Sequence, residues 1–204
     1  MRLNDGHCDH AGRLWVGSMP DNLSEQPHAT IDAKAAGRIW AIDGVNVRSY
    51  DAGLGCPNAI CWSPDGTTFY IADSCDGWIY SYHFDCDTGS ISDRKPFFRL
   101  ESHGIPDGAA VDRDGYLWNA RWGAGAVIRI SPRGELDQVI PVPTSHPTAC
   151  CFGDRDLRTL YLTSARHSIP AGRLRTEPQA GGIFSFRVQV PGMELPAFKL
   201  ESQA

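Results

Sequence analysis

The chain has 204 residues, 42% hydrophobic and 21% charged, enough for one sizeable core or two small ones in a globular protein. Its formal charge of −5, with no run of Lys or Arg, offers no electrostatic footprint for a nucleic-acid backbone or an anionic membrane. No stretch approaches the length of a transmembrane helix, and MRLNDGHCDH lacks the apolar core of a signal peptide, so a cytoplasmic protein with neither nucleic acid nor membrane as partner is expected. Seven cysteines, an odd count without Cys-x-x-Cys clusters, predict neither a disulfide framework nor a zinc ribbon.

In chain order, one pattern recurs four times: NDGHCDHAGRLWVG from Asn4, NAICWSPDGTTFYIA from Asn58, DGAAVDRDGYLWNA from Asp107 and TACCFGDRDLRTLYLT from Thr148. The starts are 54, 49 and 41 residues apart. Each copy runs from a polar anchor through small and apolar residues to a turn rich in Asp and Gly, then returns through an aliphatic-aromatic or aromatic pair, which is a hairpin signature. A second strand-like piece follows in each: GRIWAI from Gly37, GWIYSY from Gly77, GAVIRI from Gly125 and GGIFSF from Gly181. Four short strands in a repeat of about fifty residues make the blade of a β-propeller, so an all-β fold with about four blades in one domain over 1–204 is predicted. Helix is minor, its one polar, Ala-rich candidate lying in residues 23–36. The longer connections, roughly 19–36 and 166–180, are either substrate walls or plain surface insertions.

The innermost strand of a propeller blade runs along the central channel. The anchors Asn4, Asn58, Asp107 and Thr148 should therefore converge at one rim, where all of them offer oxygen. Pro57, Pro106 and Pro147 stiffen three of the strand starts. Such a ring suits a hard divalent cation, Ca²⁺ first, with Mg²⁺ or Mn²⁺ also suited and Zn²⁺ tolerated. The alternative is that the anchors are ordinary Asx turns. Asp107 matters most because it is the only anionic anchor. Asp9, Asp65, Asp112 and Asp114, at the opposite end of the strands, are assigned to turn formation.

NDGxxDxxGRLWVGSM, PNAICWSPDGTTFYIADS, IPDGAAVDxDGYLWNA, PTACCFG…LYLTSAR and PQAGGIF together resemble the SMP-30/regucalcin/gluconolactonase family over essentially the whole chain. The resemblance implies a six-bladed propeller that hydrolyses a sugar lactone, a small-molecule substrate, with one divalent metal in the channel. It implies that Asn58 and Asp107 are metal ligands, that Asp107 doubles as general base, and that Arg2 and Asn4 hold the substrate's oxygens. The metal would polarise the lactone carbonyl and acidify a water, and Asp107 would take the proton.

The same resemblance implies a glutamate ligand in a Glu-Gly-Pro-x-Trp stretch, which this sequence does not contain, and the repeat count places roughly two blades ahead of Met1. A lid glutamate is also unmatched, with Asp21, Asn22 and Glu25 nearby. Two function classes stay open: a metal-dependent lactonase of sugar oxidation or pentose catabolism, and a propeller that binds metal or a partner without catalysis.

Three further features carry less. His7 and His10 of HCDH should point to opposite faces of a strand, which disfavours a zinc site. No Gly-x-Ser-x-Gly elbow supports serine catalysis. The tryptophans are expected between blades, with Trp122 either there or against the sugar.

Overall fold

A computed structural model describes residues 1–21 and 36–200, apart from the side chains of residues 51 and 52. Asn22, Glu25 and all but the last residue of the expected helical stretch lie outside that description.

Each repeat forms one antiparallel sheet whose strands pair in chain order. The first contains β1 (Arg2–Cys8), β2 (Leu14–Met19), β3 (Gly37–Asp43) and β4 (Asn46–Leu54); the second contains β5 (Pro57–Trp62), β6 (Thr68–Asp73), β7 (Trp78–Asp85) and β8 (Ser90–Arg99). The third is built from β9 (Ile105–Val111), β10 (Leu117–Trp122), β11 (Ala126–Ile130) and β12 (Leu136–Pro141). Among the described residues the fourth has three strands where the repeat predicts four: β13 (Pro147–Gly153), β14 (Thr159–Ser164) and β15 (Ile183–Arg187). The long connection before β15 carries a single helical turn, α1 (Ala171–Leu174). The four sheets are blades of a propeller, as the repeat predicts.

Burial is uneven across the blades, and in the second and third it is lowest in the outermost strand. β5 is buried along its whole length, whereas β12 is almost wholly exposed. A strand covered on both faces reads as a continuous apolar run, so neighbouring blades, and not an alternating pattern, explain sequences such as AVIRI in β11. Three cores fill the three blade junctions. Trp15, Ile39 and Ala41 of the first blade meet Trp62, Phe69, Ile71 and Phe84 of the second. Tyr70 and Ile79 meet Val111, Leu117 and Ile128, and Trp118 and Val127 meet Cys150, Leu160 and Leu162. Trp15, fully buried, lies 5.3 Å from Phe69 and 5.5 Å from Phe84 by ring centroid, and burying a side chain of that size contributes about 3 kcal/mol.

The turn carboxylates do more than turn the chain. Asp9 accepts the N–H groups of Ala11 and Arg13 and pairs with the Arg13 guanidinium at 2.6 Å, and its Oδ2 also accepts Trp15 Nε1 at 2.9 Å. Asp112 repeats the plan, accepting Asp114 N, Tyr116 N, Trp118 Nε1 and Arg129 at 2.7 Å. Both carboxylates are fully buried. In the second blade Phe69 replaces the tryptophan and has no N–H to satisfy, and Ser63 stands where the first and third blades have the aspartate. Arg13 also reaches Cys86 O and, at 3.2 Å, Asp87 O, tying the first blade to the outer hairpin of the second.

After β15 the chain runs along the hairpin-turn rim. Gly192 N donates to Leu157 O at 2.8 Å, Arg113 N to Pro191 O at 2.9 Å and Lys199 N to Gly12 O at 3.0 Å, so the tail touches turns of the fourth, third and first blades. The rim opposite this tail carries the anchors.

Asp112→Ala should lower unfolding free energy by about 2–4 kcal/mol, because it leaves the buried Trp118 indole N–H without its acceptor and the Arg129 guanidinium with Asp137, at 2.8 Å, as its one remaining carboxylate. Denaturant titration checks this, and a loss below about 1 kcal/mol would contradict the role given to Asp112.

Candidate functional site

Every inner strand breaks register once, near its first residues. Between Leu3 and Gly6 the partner advances only from Ser18 to Val16; between Asn58 and Cys61 only from Ala72 to Tyr70. Likewise Pro106 to Ala109 faces Arg121 to Asn119, and Pro147 to Ala149 faces Ser164 to Thr163. Each strand therefore holds one residue more than its neighbour, a β-bulge that twists the strand and re-aims a side chain. The bulges fall on or beside Asn4, Asn58, Asp107 and Thr148. Glycine lets the strands close up there: a Cβ on Gly108 would sit 2.7 Å from Ala149 Cβ.

Two of the expected ligands come together across a blade junction. The buried Asn58 donates through Nδ2 to Ser74 Oγ at 3.1 Å, and its side chain lies close enough to the Asp107 carboxyl to favour the ionised form. Ser74 in turn donates to Pro106 O at 2.6 Å, beside Asp107. Asn119 Nδ2 donates to Asp107 O at 2.6 Å, and Asp107 Oδ1 accepts its neighbour Gly108 N at 3.0 Å.

The expected substrate pair also meets: Arg2 donates to Asn4 Oδ1 at 3.1 Å, while Asn4 Nδ2 donates to Pro57 O at 3.0 Å, one residue before Asn58. Thr148 behaves differently. Its hydroxyl shares a 2.7 Å hydrogen bond with Thr163 Oγ1 on β14.

Burial pushes the Asp107 carboxyl up to about 7; the nearby charge of Asp5 adds to the rise, against the opposing pull of Asn58, the Gly108 N–H and Arg2. Burial also raises Asp5, against hydrogen bonds from Ile60 and Gly6 and the charge of His7. Desolvation thus outweighs the hydrogen bonds at both carboxylates, and an added cation would relieve them.

A carboxylate beside a carboxamide is an oxygen donor pair suited to a hard divalent ion. It would supply two ligands. Among the described residues no group of three or more His, Cys, Asp or Glu gathers around a point, HCDH included. The donors therefore fit such an ion as part of its coordination shell.

Four participants lay outside the anchor logic: Asp5, Ser74, Asn119 and Arg121. Asn119 could have been found from its place in β10, where it follows the LW pair. Ser74 and Arg121 act through contacts that no local pattern announces. Arg121 is fully buried, donating to His103 O at 2.8 Å, Leu100 O at 3.0 Å, Gly104 O at 2.7 Å and Asn119 Oδ1 at 3.2 Å. Burial lowers it to about 10. It stiffens both the segment leading into β9 and the amide that holds Asp107 O. Trp122, next in the chain, stacks on His146 with centroids 4.1 Å apart and planes 7° apart. All seven cysteines are free thiols, and no described helix is long and apolar enough to cross a membrane.

Comparison with known proteins places this geometry in a family. Residues 1–166 match the SMP-30/Gluconolactonase/LRE-like region. Regucalcin from Oryctolagus cuniculus is 35% identical over 186 residues, covering 90% of this chain and 61% of the relative. A 6-deoxy-6-sulfogluconolactonase from Pseudomonas putida is 36% identical, covering 97% of this chain and 65% of that protein. The crystal structure of a calcium-binding protein, regucalcin, from Agrobacterium tumefaciens superposes with a TM-score of 0.87 at 32% identity, over 97% of this chain and 65% of its own. The chain thus spans somewhat less than two thirds of the length of these relatives. With the matched region covering most of its length, the chain belongs to the SMP-30/Gluconolactonase/LRE-like family.

Proposed function

We propose that this chain carries the central part of a divalent-metal-dependent sugar-lactone hydrolase site, converting an aldonolactone to its aldonic acid. The observation that carries this reading is the junction at which the buried Asn58, through Ser74, meets the start of β9 that bears Asp107. The lactonase name of the Pseudomonas putida relative supports ring opening, and the calcium-binding name of the Agrobacterium tumefaciens structure supports Ca²⁺ as the ion.

Asn58 and Asp107 would hold the cation, which when bound supplies Lewis-acid polarisation of the lactone carbonyl. Arg2 and Asn4 hold substrate oxygens: the Arg2 guanidinium and the Asn4 carboxamide already stand together at the start of β1. Asp107 takes the proton from water as its oxygen adds to the carbonyl carbon. The bond from that carbon to the ring oxygen then breaks, and the ring oxygen leaves with a proton as a hydroxyl. With its proton displaced by the cation, the Asp107 carboxylate can accept the water's proton and return it to the ring oxygen.

A second reading, a metal-binding propeller without turnover, is favoured by the two-ligand count among the described residues. One assay separates them: glucono-, galactono- and arabinono-lactones with Ca²⁺, Mn²⁺, Zn²⁺ or chelator, beside Asp107→Ala. Metal-dependent acid release that the substitution reduces by about 10³-fold or more supports the enzyme. Buffer-level rates from the folded chain support the second reading.

Asn58→Ala should raise the metal concentration required by about tenfold or more, the scale seen when groups around a metal are removed, whereas Thr148→Ala should leave it nearly unchanged. Equal effects in a calorimetric titration would displace the ion from this junction.

Metal binding should also be proton-linked. The metal-free Asp107 holds its proton up to about pH 7, and a cation must displace that proton. Apparent affinity should therefore fall about tenfold per pH unit below 7 and level off above it. Titrations at pH 5, 6, 7 and 8 check the slope, and a flat profile would remove Asp107 from the ligand set.

A further inference from the structure

Between Asn58 and Cys61 the inner strand of the second blade leaves its neighbour: Ala59 and Ile60 have no opposite residue on β6. Ala59 is fully buried and adopts φ 53°, in the left-handed region that a side chain disfavours. Such a conformation lasts only where its surroundings hold it. Two neighbours in the first blade do so. Asn4 Nδ2 donates to Pro57 O at 3.0 Å on one side of Asn58, and Asp5 Oδ2 accepts Ile60 N at 2.8 Å on the other. The other oxygen of Asp5 accepts Gly6 N at 2.9 Å.

We propose that Asp5 is a positioning residue, its carboxylate capturing the Ile60 N–H that the bulge releases and so aiming Asn58 across the blade junction at Asp107. The role rests on reading Asn58 as a cation ligand. Both Asp5 oxygens are engaged with backbone N–H groups, which suits a strut and not a ligand. At the matching place in the other repeats stand Ala59, Gly108 and Ala149, so the device exists once. Only at this junction does a residue with positive φ directly follow an anchor.

The test compares Asp5→Ala and Asp5→Asn with the parent chain. An asparagine oxygen can still accept Ile60 N–H, whereas alanine cannot. Calorimetric Ca²⁺ titration at pH 8 should show binding weakened about tenfold in Asp5→Ala but within about threefold of the parent in Asp5→Asn. Without metal, NMR should show faster exchange of the Ile60 amide and shifted Asn58 side-chain NH₂ resonances in Asp5→Ala, both near parental values in Asp5→Asn. Equal losses in the two variants would mean that the charge of Asp5, not its geometry, matters, and would overturn the proposal. So would unchanged Ile60 exchange in Asp5→Ala. If the parent binds no Ca²⁺, the cation reading of Asn58 fails, while the metal-free NMR comparison still decides whether Asp5 positions that side chain.

Discussion

The one-residue bulge at the start of each inner strand is the constraint on which the rest depends. A regular strand alternates its side chains between two faces, and in a propeller both faces are filled by neighbouring blades. A polar anchor in such a strand would point into apolar packing. The extra residue breaks the alternation once, releases a backbone N–H or C=O from the ladder, and lets a side chain turn to the channel. The freed groups then need partners, and the neighbouring blade supplies them: Asn4 and Asp5 for the second blade, Ser74 for the third. Blade contact and site geometry are thus one set of hydrogen bonds.

Two ends of the same strands treat buried carboxylates in opposite ways. At the turn rim Asp9 and Asp112 each meet a guanidinium, backbone N–H groups and an indole N–H, so their charge is compensated where it is buried. At the anchor rim Asp107 is offered an amide and one N–H, with Asp5 as a second negative group nearby. The first arrangement holds the strands of each blade together. The second, with only the more distant charge of Arg2 to offset burial, raises the carboxyl toward neutrality, a shift that marks candidate ligands and bases. The tail fastened to the turn rim by Lys199, Pro191 and Gly192 leaves the anchor rim to the site.

Much was legible from repeat logic. Four anchors at roughly regular spacing, each followed by a hairpin and a second strand-like piece, led to the blades and to their order. Repeat logic placed Thr148 in the same ring as the other anchors, but could not show the hydroxyl partner that stands beside it on β14. Asp9 and Asp112 were recognised as turn residues, but their buried ion pairs were not, because Arg129 is seventeen residues from Asp112 and reaches it from another strand. The role of Asp5 beside Asn4 is not legible in the sequence, since nothing in NDG shows which N–H a carboxylate will accept.

By itself the sequence determined the repeat, the strand order and the residue types offered to the channel, because these follow from local pattern and from the spacing of identical units. Tertiary structure alone decided the bulges, the left-handed turn at Ala59, the pairing of Asn58 with Asp107 and the desolvation that holds Asp107 near neutrality. Those depend on which groups of one blade lie within three ångströms of the next, and distance across a junction is a property of packing that no single repeat encodes.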